Sequence, residues 1–201
     1  EEPPMKHEWR RHEKALYGAG KTPGLVDAPA QKFIVISGRG DPNGEDFSAR
    51  ISALYPLAYA LRSVFKARDE DYAVYPLEGL WSGAVQGGAV VKSELEYELM
   101  IRQPDAATED EFSEALDRTR RRKPSPLLDE VRFEAITDGR CVQMLHTGPY
   151  DDEPASFALM ADFAAANGLE RAGAGHREIY LNDAKRTEPA KLRTILRFSV
   201  R

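Results

Sequence analysis

One order of elements, strand, helix, strand and strand, is predicted twice along this chain. Strands are expected where apolar residues alternate or β-branched residues cluster, and helices where apolar residues recur every three or four positions. The first copy comprises 31–39, 45–66, 72–81 and 94–103, and the second comprises 131–137 with 140–146, 156–167, 176–181 and 192–200. Such a duplication predicts an α+β fold with a cleft between its halves, a common place for a small-molecule site.

Three local signals refine this prediction. Pro56 falls inside the first helix and should bend or break it. Asp138-Gly139 predicts a hairpin between 131–137 and 140–146, because this pair supplies the positive φ of a tight turn. The glycine-rich residues 82–88 should join the strands on either side of them.

The connector between the copies, 108–123, predicts one more helix. Its Arg120-Arg121-Arg122-Lys123 end should complement the helix dipole and stay solvated. We interpret 1–30 as an N-terminal extension, with Met5 a possible native start, and 31–201 as one domain. The half-repeats of that domain would cover roughly 31–105 and 129–201.

Composition excludes several classes of function. The net charge of −5 and the pI near 5.5 disfavour nucleic-acid binding, which depends on Lys and Arg neutralising phosphates. Charge, Gly or Pro interrupts the apolar stretches, so we expect neither a membrane-spanning helix nor a secretory signal. The single cysteine, Cys141, can form no intrachain disulfide, which favours a cytoplasmic location and a packing role for its thiol.

Motifs for metal, nucleotide or nucleophilic chemistry are missing from the sequence. The four histidines, His7, His12, His146 and His176, are scattered and receive no role. We therefore expect no cofactor and no metal, and the oligomeric state stays open.

Two predicted strands place a glutamate among residues suited to burial: Glu78 in Tyr75-Pro76-Leu77-Glu78-Gly79-Leu80-Trp81, and Glu178 in His176-Arg177-Glu178-Ile179-Tyr180-Leu181. Alternation puts Glu178 and Tyr180 on one face of their strand. A carboxylate beside a phenol in an aromatic cleft could bind a cation or activate water. The alternative is that both glutamates lie at sheet edges, where they face solvent or pair with Arg.

A third strand, Glu94-Leu95-Glu96-Tyr97-Glu98-Leu99-Met100-Ile101, alternates strictly and has an apolar face that includes Tyr97. Met100 interrupts the acidic face. It could contact a flat aromatic ligand, since methionine adapts to such surfaces, although methionine more often packs in a core. The alternation does not determine which face of this strand meets the cleft.

At these stretches the sequence resembles the GyrI-like small-molecule-binding proteins, in particular the stand-alone subgroup without a DNA-binding domain. The resemblance covers nearly the whole chain. It implies a duplicated SHS2-like, GyrI-like effector-binding fold with a central ligand cleft. It is carried by Lys6-His7-Glu8-Trp9, Tyr75-Pro76-Leu77-Glu78-Gly79-Leu80-Trp81, Leu99-Met100-Ile101-Arg102-Gln103-Pro104-Asp105, and Glu178-Ile179-Tyr180-Leu181-Asn182-Asp183 with Lys185-Arg186-Thr187 after it.

This resemblance also implies a function. In related effector domains a buried glutamate recognises cationic aromatic drugs, and Glu178 matches it. Some stand-alone members are cyclopropanoid hydrolases, which protect the cell by opening the strained cyclopropane of DNA-alkylating natural products of the duocarmycin and yatakemycin type. By this resemblance Glu178 would be the general base, and Tyr180 or Tyr97 would donate a hydrogen bond to the ligand oxygen that becomes a phenolate.

We expect ligand-binding roles for Glu78, Trp81, Tyr97, Met100 and Tyr150, with Trp81 and Tyr150 stacking on the flat ligand. The sequence departs from the family pattern at Ser82, where a second aromatic is expected, and at Tyr97, where Trp is usual.

Two alternatives to the enzyme stay open. The chain could be a non-catalytic module that sequesters or senses an aromatic cation, or it could have the protein-inhibiting role that the family's name suggests. A transcriptional sensor is disfavoured because no helix-turn-helix segment is visible.

Overall fold

The chain forms an eight-stranded curled sheet with helices packed on it, and a small two-stranded sheet. The computed structural model describes residues 2, 4–82, 85–86 and 89–201. The helices are α1 Trp9–His12, α2 Lys14–Tyr17, α3 Glu45–Lys66, α4 Glu109–Arg122 and α5 Glu153–Ala166. The strands are β1 Gly24–Ala28, β2 Gln31–Arg39, β3 Leu77–Ser82, β4 Val85–Gln86, β5 Ala89–Val90, β6 Glu96–Gln103, β7 Arg132–Ile136, β8 Gly139–Thr147, β9 His176–Tyr180 and β10 Arg193–Ser199.

The predicted order of strand, helix, strand and strand is present in both copies, as β2-α3-β3-β6 and β8-α5-β9-β10. The connector helix is α4, which begins with a capping box between Thr108 and Glu111. The prediction that Pro56 could break α3 is wrong, because the helix runs through it. Buried Leu54 and Leu57 on either side of Pro56 hold both parts of the helix against the sheet. The predicted connection 82–88 lies partly outside the described residues.

The hairpin predicted at Asp138-Gly139 does not form. The eight-stranded sheet has the order β1-β8-β10-β9-β3-β6-β2-β7, so β7 pairs with β2 while β8 pairs with β1 and β10. Gly139 does adopt a positive φ of 70°, but the turn leads from one edge of the sheet towards the other. Each edge strand therefore pairs with a strand far from it in the sequence or sheet order: β1, which precedes the first copy, pairs with β8 of the second, and β7 pairs with β2 of the first.

This strand exchange forces the sheet to curl. β7 and β8 lie six positions apart in the sheet, which in a flat sheet is about 28 Å. Yet only three residue steps separate Ile136 from Gly139, and these span at most about 11 Å. The step from β1 to β2 across residues 29–30 imposes the same condition at the other edge. The two edges must therefore approach each other, and the sheet becomes a half-barrel.

The halves meet where β3 pairs with β9, with Gly79 opposite Glu178 and Glu78 opposite Ile179. Alternation then divides the sheet into two faces. We call the face that α3 and α5 cover the helix face, and it carries Trp81, Glu178 and Tyr180. We call the other the concave face, and it carries Glu78, Leu80, Met100, Arg177 and Arg197.

Charged side chains are buried on the concave face. Arg177 binds both carboxylate oxygens of Asp138 at 2.6 and 3.1 Å and Glu78 at 3.2 Å. Burial works against the charge of Asp138, but the hydrogen bonds of Arg177 hold the pKa of that carboxyl below its usual value. The contact also joins the edge of the sheet to its central strand, which stabilises the curl.

None of the helices in the described residues has both the length and the apolar character that a membrane span requires.

We expect Arg177→Met to destabilise the protein by about 3–5 kcal/mol, because it leaves Asp138 and Glu78 buried without their cation. Arg186→Met is the matched control, since that side chain is 88% exposed and should change stability by less than about 0.5 kcal/mol. Urea unfolding of both variants measures the difference. Equal losses in the two variants would show that the buried ion pairs do not hold the half-barrel together.

Candidate functional site

The candidate site lies on the helix face, across the central strands β3 and β9. His176, Glu178 and Tyr180 follow each other at every second position of β9, so their side chains share this face. Trp81 lies opposite His176 on β3. Glu178 is only 6% exposed, although none of its protein contacts is an Arg or Lys among the described residues.

A chain of hydrogen bonds ends on Glu178. Trp81 Nε1 donates to the hydroxyl oxygen of Tyr180 at 2.9 Å, and the Tyr180 hydroxyl donates to Glu178 Oε1 at 3.3 Å. His176 Nε2 lies 2.9 Å from Glu178 Oε2 and donates to it in the tautomer that carries its proton there. Both carboxylate oxygens therefore have donors, and the longer bond, from Tyr180, is the easier one to exchange for a ligand.

Gly79 makes this arrangement possible. A Cβ at this position would lie 2.6 Å from Trp81 Nε1 and 3.1 Å from the Tyr180 hydroxyl oxygen. Only the missing side chain lets the indole and the phenol meet above the strand. Gly38 has the same role under the ring of Tyr97, where an added Cβ would come within 2.5 Å of the ring.

Aromatic rings surround the polar group on two sides. On the α3 side, Phe47 lies 5.8 Å from Trp81 and 5.0 Å from Tyr97 between ring centroids, and Trp81 lies 5.4 Å from Tyr97. On the α5 side, Tyr150 meets Tyr180 at 6.1 Å and Phe157 meets His176 at 4.6 Å, both edge to face. These walls suit a flat aromatic ligand.

A second carboxyl group, that of Glu153 at the start of α5, is buried beside Glu178. Desolvation, followed by the charge of Glu178 and a hydrogen bond to it, raises the pKa of Glu153. An ionised Glu153 Oε2 would be a buried acceptor without a partner among the described residues. A protonated Glu153 instead donates to Glu178, so the pair holds one proton and one negative charge.

Tyr180 is a phenol and not a phenolate in this site. Burial first, and the nearby charge of Glu178 second, raise the pKa of Tyr180 well above its usual value. Burial likewise raises the pKa of Tyr150 to about 12. Both hydroxyls therefore keep their protons at neutral pH and can donate hydrogen bonds.

Two exposed contacts link chain segments that neighbour the site. Lys92, just before β6, lies 3.8 Å from Asp151, which precedes α5. Lys185, after β9, donates to Ser48 of α3 at 3.2 Å. Such exposed contacts contribute little to stability, about 1 kcal/mol or less.

Four of the predicted site residues meet here, namely Trp81, Tyr97, Glu178 and Tyr180, and Tyr150 lies at the margin with 37% exposure. The prediction that Glu78 approaches the same cleft is wrong, because it lies on the concave face. Met100 also lies there, with its sulfur 3.1 Å from Arg177. Ser82 is exposed at the end of β3.

Sequence reasoning missed three residues of the site. His176 received no role, although its spacing from Glu178 and Tyr180 could have placed it on their face. Glu153 and Phe47 come from separate helices, and no local pattern links them to β9. Among the described residues, no group of three metal-ligating side chains is placed to hold an ion.

The geometry on the helix face agrees with a match to a known domain. Residues 21–201 match the GyrI-like small molecule binding domain. The chain belongs to the GyrI-like family. It is thus a GyrI-like small-molecule-binding protein, and its matched part includes β1 and every residue of the helix-face site.

Solved structures similar to this GyrI-like protein come from Listeria innocua. One is an uncharacterized conserved protein and another is described as a hydrolase. Each is 30% identical and covers 98% of this chain and 100% of its own, with TM-scores of 0.90 and 0.87. No curated protein matches the sequence.

The C-terminal domain of EcmrR shares the fold at 16% identity and a TM-score of 0.53, over 90% of this chain and 97% of that domain. A structure of EcmrR in complex with DNA aligns with 89% of this chain over 57% of EcmrR, at 17% identity and a TM-score of 0.54. The fold therefore also occurs as one part of a larger protein.

We expect Glu153→Gln to stabilise the GyrI-like protein increasingly as the pH rises. Above the ordinary glutamate pKa the unfolded chain loses the proton of Glu153, whereas the folded protein keeps it, so the parent loses stability with rising pH. The slope is at most about 1.4 kcal/mol per pH unit, and Gln at 153 removes it.

Urea unfolding at pH 5 and pH 8 measures this effect. Asp151→Asn is the control, because that side chain is 86% exposed and should behave like the parent. A stability difference between Glu153→Gln and the parent that does not change with pH would show that Glu153 is ionised in the folded protein.

Proposed function

We propose that this GyrI-like protein hydrolyses cyclopropanoid DNA-alkylating compounds on its helix face and so protects the cell from them. The observation that carries the proposal is a carboxylate with no Arg or Lys partner among the described residues, held by a phenol and an imidazole between aromatic walls. Leaving a buried carboxylate without a cation is costly, and the cost is understandable where the group must accept a proton.

The reaction is the addition of water across one bond of the strained ring. The water oxygen forms a bond to a cyclopropane carbon, and Glu178 accepts a proton from that water. The carbon–carbon bond of the ring breaks, and its electron pair moves into the conjugated dienone, whose oxygen becomes a phenolate. That oxygen then takes up a proton, so the product is the ring-opened hydrate.

Tyr180 and His176 have different parts in this scheme. The Tyr180 hydroxyl turns from Glu178 Oε1 to the ligand oxygen, where its hydrogen bond stabilises the developing phenolate. This exchange frees Oε1 for the water. His176 keeps its hydrogen bond to Oε2, so the carboxylate stays oriented throughout. The raised pKa of Tyr180 favours this role, because the phenol must not lose its proton to Glu178.

The comparisons support hydrolysis in general terms. A Listeria innocua relative that aligns over its whole length is described as a hydrolase. The proposal that the substrates are cyclopropanoids rests on the sequence resemblance at Tyr75–Trp81 and Glu178–Asp183. A cytoplasmic location is part of the proposal, since such a toxin has to be destroyed before it reaches DNA.

The second candidate function is binding without turnover. A buried carboxylate among Trp81, Tyr97 and Tyr180 could also hold a flat aromatic cation by charge and ring contacts. Product analysis after incubation with a cyclopropanoid separates the two functions, because only the enzyme yields the hydrate.

We expect Glu178→Gln to abolish most hydrolysis while flat neutral ligands still bind, because Gln keeps the size but loses the basic lone pair and the charge. Tyr180→Phe should slow the reaction less, by about 100- to 1000-fold, the usual cost of one oxyanion donor. Single-turnover kinetics, followed by chromatography of the hydrate, measures both.

The control for these variants is Glu78→Gln, which changes a glutamate on the concave face and should retain most of the activity of the parent. Hydrolysis by Glu178→Gln at the parental rate would rule out Glu178 as the base. A parent that binds cyclopropanoids but yields no hydrate would favour the binding module.

We expect Trp81→Ala to raise KM more than it lowers kcat. Ring stacking acts on the bound ligand and on the transition state nearly alike, and such uniform binding appears mainly in KM. Trp81→Phe is the matched control, since it keeps a ring but loses the hydrogen bond to Tyr180. Its KM should stay near the parental value while its kcat falls. If Trp81→Phe raised KM more than Trp81→Ala, the ligand would not stack on Trp81.

A further inference from the structure

A cavity of about 680 Å³ opens on the concave face, and Trp81, Tyr97 and His176, whose side chains face the helices, also border it. Strand ends form its walls, where Leu80, Ser37 and Ser199 point into the half-barrel. Arg177 and Arg197 form its floor, at 3% and 2% exposure. Neither Glu178 nor Tyr180 lines this cavity.

Most charges around this cavity are already paired. Arg50 lies 3.1 Å from Glu130, and Arg177 lies 2.6 Å from Asp138. At the rim, Arg39 faces Glu96 across the β2–β6 pair. The charges of these groups largely neutralise one another. The charge of Arg197 therefore determines which ligands the cavity attracts.

Arg197 has no carboxylate partner among the described residues. Its Nε and Nη2 atoms bind Gln143 Oε1 at 3.2 and 2.9 Å, and Nη2 also binds the carbonyl oxygen of Leu16 at 2.7 Å. No hydrogen bond of Nη1 is found within the part of the chain that the structure describes. Nη1 is open to the cavity, where water or the acceptor group of a ligand can bind it.

The surroundings restrict which anion fits. Glu78 and Asp138 are held by Arg177 on the same face, so a doubly charged phosphate would be repelled by two acidic groups close by. A single negative charge is better matched to the one free nitrogen. The side chain of Leu80 offers an apolar wall for the rest of the molecule.

We propose that the concave cavity is a second ligand site, which binds a small organic monocarboxylate whose carboxylate group accepts a hydrogen bond from Arg197 Nη1. This site is independent of the proposed hydrolysis. The two sites share β9, where the side chain of Arg177 faces the cavity and the side chains of His176 and Glu178 face the helices.

The test uses benzoate as the carboxylate and benzamide as its neutral analogue of the same shape. Calorimetric titration of the parent should give saturable benzoate binding and no benzamide binding. Arg197→Gln should weaken benzoate binding by about tenfold or more, as expected for the loss of a charge-assisted hydrogen bond. Arg39→Gln, at the exposed rim, should change it by less than about twofold, as for a screened surface charge.

Because Arg197 also holds Gln143 and Leu16, its variant could fail to fold, and NMR shift mapping on the parent gives a second readout. Benzoate should move the amide signals of Leu80, Arg177 and Ser199 and leave those of Phe47 and Tyr150 in place. No saturable binding, equal binding of benzamide, or shifts centred on Phe47 and Tyr150 would overturn the proposal.

Discussion

The pairing of β3 with β9 determines everything else in this structure, because it is the junction of the two copies and it carries both buried chemistries. With Gly79 opposite Glu178, residues 176, 178 and 180 face the helices and residue 177 faces the half-barrel. A slip of one residue would exchange these faces. Arg177 would then stand among the aromatic rings, and Glu178 would stand beside Asp138. The register therefore carries both the stability and the proposed chemistry.

Buried carboxylates have different partners on the two faces of the sheet. On the concave face, the carboxylates of Glu78 and Asp138 share the cation Arg177, which makes that group structural. On the helix face, the polar groups that contact Glu178 among the described residues are a phenol, an imidazole and a second carboxyl. Gly79 keeps open the space in which the Tyr180 phenol reaches Glu178. This difference is our reason for placing the functional site on the helix face.

Much of this arrangement could be predicted within single strands but not between them. Alternation correctly placed Glu178 and Tyr180 together. The same alternation explains why Glu78 is not in the site: it is three positions from Trp81 in one strand and so faces the other side of the sheet. The hairpin failed because Asp138-Gly139 specifies a turn but not which strands pair beyond it. Glu153 could not be found, since its approach to Glu178 depends on how α5 packs.

A crystal structure of Glu178→Gln with an intact cyclopropanoid bound tests the central claim most directly. The account predicts a ligand between α3 and α5, with its flat ring system against Trp81, its carbonyl oxygen near the Tyr180 hydroxyl and its cyclopropane carbon near residue 178. A ligand bound in the concave cavity beside Arg197, with the helix face closed and unchanged, would contradict it.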